Sequence, residues 1–487
     1  MARPRLSEPY HLWLYAGLLL LFWQTRIIAI DAFPPFIDEG LHIYFGEQVL
    51  VTGPLAYASD GRQFTVWWLM LFQSSANASI WIARVAILLA SLPGFAAVVS
   101  TGRIAAGIWG GSIAGLLYIL SSYHYFIGRM ALADPAAGSA VLVALYFSYR
   151  LSRRIRFRDA ASAGLALFIG VGAKSITIPY LGIPVAAVLT VSVSRWDWRV
   201  KLRWLLVALV ISGGLIIGYF LLLNWRGYNP YMIFFARNSP LTSTNLLATI
   251  NTNAVATIDV LSHYFGGVPF LLFVGSVVVL IVRRRYFLPL CLLPPLLVTW
   301  SSGFQSTRHW YVGATILLLC GAIVLAQSLR QRRKLVQGVG IGLVFLWGWV
   351  MWLPFVYDVN YDPAQTPRLH RRDYSEYVIS DASGFGLAEA YHNLVAHDAK
   401  QIIGLLSNCQ NLRYMATPSI PVICPRIRLN REDIDLLTRL MENNRFEGSF
   451  VVLEDNPNVP SSAPGQIVAT MGRPGGRADL TIYDLAP

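Results

Sequence analysis

Tyr10–Ile30, YHLWLYAGLLLLFWQTRIIAI, followed by Asp31-Ala32-Phe33-Pro34-Pro35-Phe36-Ile37-Asp38-Glu39-Gly40, decides how this chain is to be read. The apolar run is long enough to cross the ~30 Å hydrocarbon layer of a bilayer. Directly after it stand two adjacent carboxylates. Desolvation makes a charge beside lipid costly, so acids in such a place are functional candidates by default. No small-residue cleavage pattern follows the run, which reads as a retained helix rather than a signal peptide.

Similar runs recur outward from this one. They fall at 80–100, 104–121, 134–151, 159–173, 176–194, 203–224, 265–282, 286–302, 310–328 and 336–357. The expectation is a polytopic α-helical membrane protein of about 11 transmembrane helices. The run at 159–173 is short and reads equally as half of a re-entrant pair with 176–194. The composition agrees, with 55% hydrophobic and only 13% charged residues in 487.

The net charge of +13 suggests nucleic acid until its distribution is examined. Basic residues concentrate in the tail (Arg3, Arg5), at Arg103, and in clusters at 150–158, 195–203, 283–285 and 330–334. They are sparse on the alternate connections. This bias is the positive-inside rule: it places the N-terminus in the cytoplasm and gives no role to nucleic acid. The long connections 31–79 and 225–264 then lie outside. Their aromatic stretches (Ile43–Leu50, Phe64–Phe72, Tyr231–Phe235) read as amphipathic helices in the interface plane.

Residues 358–487 differ in composition, with 16 acids against 12 bases. Short apolar runs at 401–406, 421–424, 449–454, 466–471 and 480–483 read as strands, and 385–397 and 431–443 as helices. The expectation is a transmembrane domain over 1–357 and a small extracytoplasmic α/β domain over 358–487. Cys291 and Cys320 fall in apolar spans and read as packing residues, whereas Cys409 and Cys424 lie where a disulfide is allowed. No Cys/His cluster or dedicated carboxylate cage marks a metal site, and a divalent-metal requirement is left open.

Only ten carboxylates precede residue 358, which narrows the chemistry. Asp38-Glu39 either complements a helix dipole in a first turn or supplies a general base and an acceptor-orienting group. His42, four residues on, shares Asp38's face and either tunes it or caps the local surface. Asp134 precedes Pro135 and suits an N-cap, alone or facing a polar cavity. Lys174, in Gly172-Ala173-Lys174-Ser175, either snorkels to headgroups or meets a phosphate. Arg308, in Ser306-Thr307-Arg308-His309-Trp310, is an interface anchor or a fixed guanidinium for phosphate oxygens.

The order of these motifs resembles that of the GT-C integral-membrane glycosyltransferases of the protein O-mannosyltransferase and lipid A aminoarabinose transferase type. The likeness rests on Asp38-Glu39, Arg84, Arg129 to Asp134, Lys174 and Arg308, and covers roughly residues 10–330. The segment Arg372-Asp373-Tyr374-Ser375-Glu376-Tyr377 with Ser383-Gly384-Phe385-Gly386 is similar to one in an uncharacterised prokaryotic branch. Ala173-Lys174-Ser175 departs from the usual Thr-Lys-Gly, and His42 from a usual aromatic residue.

The resemblance implies a plasma-membrane enzyme with a polyprenyl-phosphate sugar as donor and no required cofactor. Transfer goes to a hydroxyl of a glycan, lipid or protein at the outer face. Asp38 would be the base, with Glu39 and Asp134 in support. Arg129, Lys174 and Arg308 would hold the leaving phosphate, with His42 and His309 beside them. The alternative is a transporter or flippase for a lipid-linked or polar solute. Such a protein favours midplane charges and repeated halves, of which the sequence shows neither.

Overall fold

Proline and glycine decide where the apolar runs become straight helices and where they break. The computed structural model describes residues 10–73, 78–154, 156–190, 198–234, 246–301, 306–330, 334–416, 420–425, 431–443, 445–457, 459–476 and 479–486. Parts of several expectations lie outside these residues: 191–194 and 302 of two spans, 235 of an outer stretch, and Arg3, Arg5, Arg195, Arg332 and Arg333 of the basic clusters.

Among the described residues, four helices are long and apolar enough to cross a membrane: Ile80–Ile119, Trp198–Trp225, Thr307–Arg330 and Gln337–Tyr361. A fifth is reached if Leu247–Phe265 and Gly267–Val282 form one span bent by 116°. Length and apolarity alone do not establish the expected count of about 11 transmembrane helices. The 176–194 run starts as a 3₁₀ helix, Ser175–Gly182, containing Pro179. The 286–302 run breaks into Phe287–Cys291 and Leu293–Ser301, and Leu12–Ile27 is a shorter apolar helix. Proline removes a donor and clashes with the preceding turn, which a continuous span does not tolerate unaided.

Ile80–Ile119 is in fact a helical hairpin. A straight helix would separate Phe95 from Tyr118 by roughly 35 Å at 1.5 Å per residue. Their rings lie 5.8 Å apart. The chain reverses at Ala106 and Gly107, where φ is −140° and +77°. Glycine makes the positive φ cheap, and Gly102 and Gly110 let the two arms touch: a Cβ on Gly102 would stand 2.5 Å from the Gly110 carbonyl oxygen. The runs 80–100 and 104–121 are the two arms.

Burial separates a central helix from a peripheral one. The apolar window of Thr307–Arg330 is 78% buried, and that of Trp198–Trp225 only 28%. The latter exposes Leu206, Val210, Ile217 and Leu221. A continuous outward apolar surface of this kind suits lipid rather than water.

Beyond the membrane helices the chain builds a five-stranded sheet of order β2-β1-β3-β5-β4. The strands are β1 Gln401–Leu405, β2 Val422–Ile423, β3 Ser449–Glu454, β4 Gln466–Met471 and β5 Leu480–Asp484. β2, β1 and β3 run parallel, and β5 pairs antiparallel with β3 and β4. All six residues of β3 are buried, because apolar clusters cover both faces of the sheet. Helices Leu387–Ala396 and Arg431–Asn443 pack on the sheet. A further helix, Cys409–Met415, has no clear signal in the sequence, and its first residue forms a disulfide with Cys424.

The connection 31–79 forms the helices Ile37–Thr52 and Gln63–Met70. Its helix Ile37–Thr52 is buried along Ile37 to Gly46. The C-terminal domain covers it: Asn411 Nδ2 donates to the Phe36 carbonyl at 2.9 Å, and Ile37 N–H donates to the Ala382 carbonyl at 2.9 Å. A Cβ on Gly40 would meet Asn411 Oδ1 at 2.5 Å, and one on Gly384 would strike the Pro35 carbonyl. Glycine at both positions allows the two parts to seat directly on each other.

Candidate active site

Asp38 is placed by the start of its helix. Pro34-Pro35 hold the approach extended, and Phe36 stands at the N-cap with φ −81° and ψ 149°. Glu39 at the third helical position reaches back to the Phe36 N–H at 2.9 Å. Glu39 therefore serves the fold. Its oxygens receive Arg84 Nε at 2.7 Å, Arg84 Nη2 at 2.8 Å and the Ala131 N–H at 2.8 Å. It is wholly buried, and its acceptor positions are occupied by these bonds.

Asp38, one residue earlier, points elsewhere. Its Oδ2 lies 2.9 Å from Arg308 Nη1 and 3.2 Å from Arg62 Nη1. Arg62 also pairs with Asp60 at 3.2 Å. Asp134 receives Lys174 Nζ at 2.6 Å and lies 3.8 Å from Arg308 Nε. Arg308 thus bridges two carboxylates that are 96 positions apart in sequence. On its remaining side Glu376 Oε1 stands 4.0 Å from Arg308 Nη2.

The local chain explains the assembly. Lys174 ends the helix Phe157–Ala173, and the Ser175 N–H donates to the Gly61 carbonyl at 3.0 Å. Thr65 Oγ1 donates to the Ala173 carbonyl at 3.0 Å. Gly61 has φ +72°, and a Cβ there would stand 2.9 Å from Ser175 Oγ. The turn bearing Arg62 is therefore stitched to the turn bearing Lys174. Arg308 enters from the single 3₁₀ turn Thr307–Trp310 at the start of the most buried of the four long apolar helices.

Several expectations change at this level. Asp134 does not cap its helix: Leu132 is the N-cap, and Asp134 bonds Lys174 instead. Lys174 does not snorkel and Arg308 is no interface anchor, since both are buried in ion pairs. His42 touches not Asp38 but Asp38's partner. Its Nδ1 donates to the Ala131 carbonyl at 2.8 Å, which leaves Nε2 to accept from Arg62 Nη1 at 2.8 Å. Burial and the neighbouring Arg62 guanidinium hold its pKa below the usual imidazole range. Arg129 stands apart from the cluster, bonded to Tyr125, Asn360 and the carbonyls of Ile28 and Ala29. His309 feels Asp134, Lys174 and Arg308 at the cluster's edge.

Burial by itself would raise the Asp38 carboxyl. Arg62 and Arg308, with His42 and Lys174 behind them, outweigh it and hold Asp38 well below the usual carboxylate range. Asp38 is a weak base for as long as both guanidiniums face it.

Arg62, Asp60 and Glu376 were not singled out by sequence reasoning. Arg62 and Asp60 carry only one signal, as charges in a connection poor in them. Glu376 lies in the motif 372–377, where nothing local points toward residues 68 to 338 positions away. Among the described residues no group of three or more His, Cys, Asp or Glu is placed to hold a metal ion.

No protein-family model matches the sequence, and no curated protein matches it. Solved structures do match in fold. ArnT from Cupriavidus metallidurans bound to undecaprenyl phosphate shares 12% identity over 99% of both chains, with a TM-score of 0.60. Its apo state gives 13% identity over 98% of this chain and 99% of that one, with a TM-score of 0.62. Archaeal oligosaccharyltransferase AglB from Archaeoglobus fulgidus, in complex with an inhibitory peptide and a dolichol-phosphate, gives 12% identity and a TM-score of 0.52. That match covers 93% of this chain and 70% of AglB. At such identities the likeness shows the fold alone, one that this chain shares with ArnT and AglB.

Proposed function

We propose that this chain is a membrane glycosyltransferase of the GT-C type. It moves a sugar from a polyprenyl-phosphate-linked donor to a hydroxyl of a glycan, lipid or protein at the outer face of the plasma membrane. One observation carries the reading: Arg308 bridges Asp38 and Asp134 in a buried cluster that also holds Arg62 and Lys174. Fixed cations suit a departing phosphate, and carboxylates beside them suit the positive charge that develops on the sugar.

The chemistry follows from the ion pairs. The bond from the anomeric carbon to the phosphate oxygen breaks, and its electrons leave with the phosphate. Arg62, Lys174 and Arg308 receive that charge. As the guanidiniums turn to the phosphate they release Asp38, whose basicity then rises. The acceptor oxygen bonds the anomeric carbon from the opposite face and gives its proton to Asp38. Asp134 orients Lys174 and Arg308. Neither Glu39 nor Arg129 acts on substrate in this scheme, and Arg62 takes the place that Arg129 has in the sequence-based reading.

The test is transfer from a set of undecaprenyl-phosphate sugars by purified protein in lipid nanodiscs. Asp38→Asn should lower turnover by on the order of 10²–10⁴-fold with the folded yield unchanged. Normal turnover by that variant would sink the assignment of Asp38 as base. Movement of the intact donor across vesicles without transfer would favour a flippase.

A further inference from the structure

Glu376 comes from outside the membrane domain, on the helical turn Ser375–Ile379 that leads into the outer domain. It completes a ring of three carboxylates around Arg308, and the three are not alike. Asp38 is held by two guanidiniums, and Asp134 by Lys174 and Arg308. Among the described residues Glu376 has Arg308 as its one cationic partner, at 4.0 Å, and a long 3.5 Å bond from Ser306 Oγ. Its side chain is 25% exposed, against 7% for Asp38 and 6% for Asp134. It is the loosest partner of Arg308 and the one on the open side.

Charge balance gives that position a consequence. Asp38, Asp60, Asp134 and Glu376 face Arg62, Lys174 and Arg308, which leaves one negative charge in excess when all are ionised. A phosphate monoester dianion entering the cluster would bring two more. In a buried, low-dielectric site such repulsion is severe, and the most weakly held negative charge is the one that yields.

We propose that Glu376 guards the phosphate site: a lipid-borne phosphate monoester displaces it from Arg308, and the site takes up one proton as the phosphate docks. This rests on the reading of the cluster as a phosphate site. The proton goes to the Glu376 carboxyl once its bond to Arg308 is gone. Burial already sets Glu376 above the ordinary glutamate range, with Asp38 and Asp134 adding to the rise and Arg308 and Ser306 opposing it. Asp373 and Tyr377 are its other titratable neighbours. With Arg308 turned to the phosphate, only the Ser306 hydroxyl still favours the charged form of Glu376.

The experiment measures binding of undecaprenyl phosphate to the full-length protein in nanodiscs between pH 5.5 and 8.5, for wild type, E376Q, E376A and R308A. The second ionisation of the phosphate is common to all variants and cancels in their ratio. The dissociation constant of wild type divided by that of E376Q should rise with pH, approaching about tenfold per pH unit above the Glu376 titration. E376A should behave as E376Q does, so a folding defect in one variant leaves the other to decide. A ratio near one at every pH, or weaker binding by both variants, overturns the proposal. Wild type that binds no better than R308A sinks the phosphate-site reading and this inference with it. Inorganic phosphate as a second probe separates the sources: a linkage seen only with the lipid assigns the headgroup of a membrane ligand, and one of equal size with both assigns the free anion.

Discussion

Adjacent residues in this protein have opposite tasks. Asp38 and Glu39 are both acidic and both in the first turn of one helix. A rotation of about 100° per residue sends one toward Arg62 and Arg308 and the other toward Arg84. Removing one partner from a fully buried pair leaves an uncompensated charge, which costs about 3–5 kcal/mol. Glu39→Gln should therefore lower the folded yield and the unfolding temperature in detergent, while Asp38→Asn lowers transfer alone. Equal stability loss in both would overturn this division of labour. The pair as a candidate site is legible in the sequence, because acids are scarce before residue 358. Which of the two faces Arg62 and Arg308 is not, since that depends on residues 24 to 270 positions away.

At the scale of elements, one short helix joins the membrane helices to the C-terminal domain. Asp373, in Arg371–Tyr374, accepts hydrogen bonds from Thr307 Oγ1 and Tyr264 Oη, and so fixes the turn that carries Arg308. Burial pushes the Asp373 carboxyl up to about 7, against the opposing effect of those two hydroxyls. Its folded value lies above the ordinary aspartate value of about 3.9. Between about pH 4 and 7 the folded protein therefore holds a proton that the unfolded chain has lost. Stability contributed here is present at the acid end, falls as pH rises through that window by up to ~1.4 kcal/mol per unit, and is flat above it. Asp373→Asn should flatten the difference in unfolding temperature measured at pH 5 and pH 8. A pH slope identical to that of wild type would count against the assignment. The five strands and two of the domain's helices are legible from apolar runs between turn residues. Cys409–Met415 is not, because its seven residues are held by the disulfide and by contact with Gly40 rather than by a periodic face.

For the whole molecule, the site is a joint between two domains. The C-terminal domain bonds the Phe36 carbonyl through the Asn411 side chain and the Ile37 N–H through the Ala382 carbonyl, seats Asn411 on Gly40 and delivers Glu376 to Arg308. Gly40→Leu should wedge the domains apart, raise protease sensitivity around residues 358–400 and reduce transfer, with the membrane helices still inserted. Unchanged proteolysis and turnover would show that the close seating is dispensable. The sequence by itself determined that the chain is a helical membrane protein with an α/β domain at its end, and that its few acids matter. Those properties follow from hydropathy, period and scarcity, all of which are local. Only the tertiary structure decided how many apolar runs stay straight, that Ile80–Ile119 folds back on itself, and which charges meet. Ion pairing in a buried cluster depends on distance in space, and no local pattern records that Asp38, Asp134, Arg62, Lys174, Arg308 and Glu376 share one.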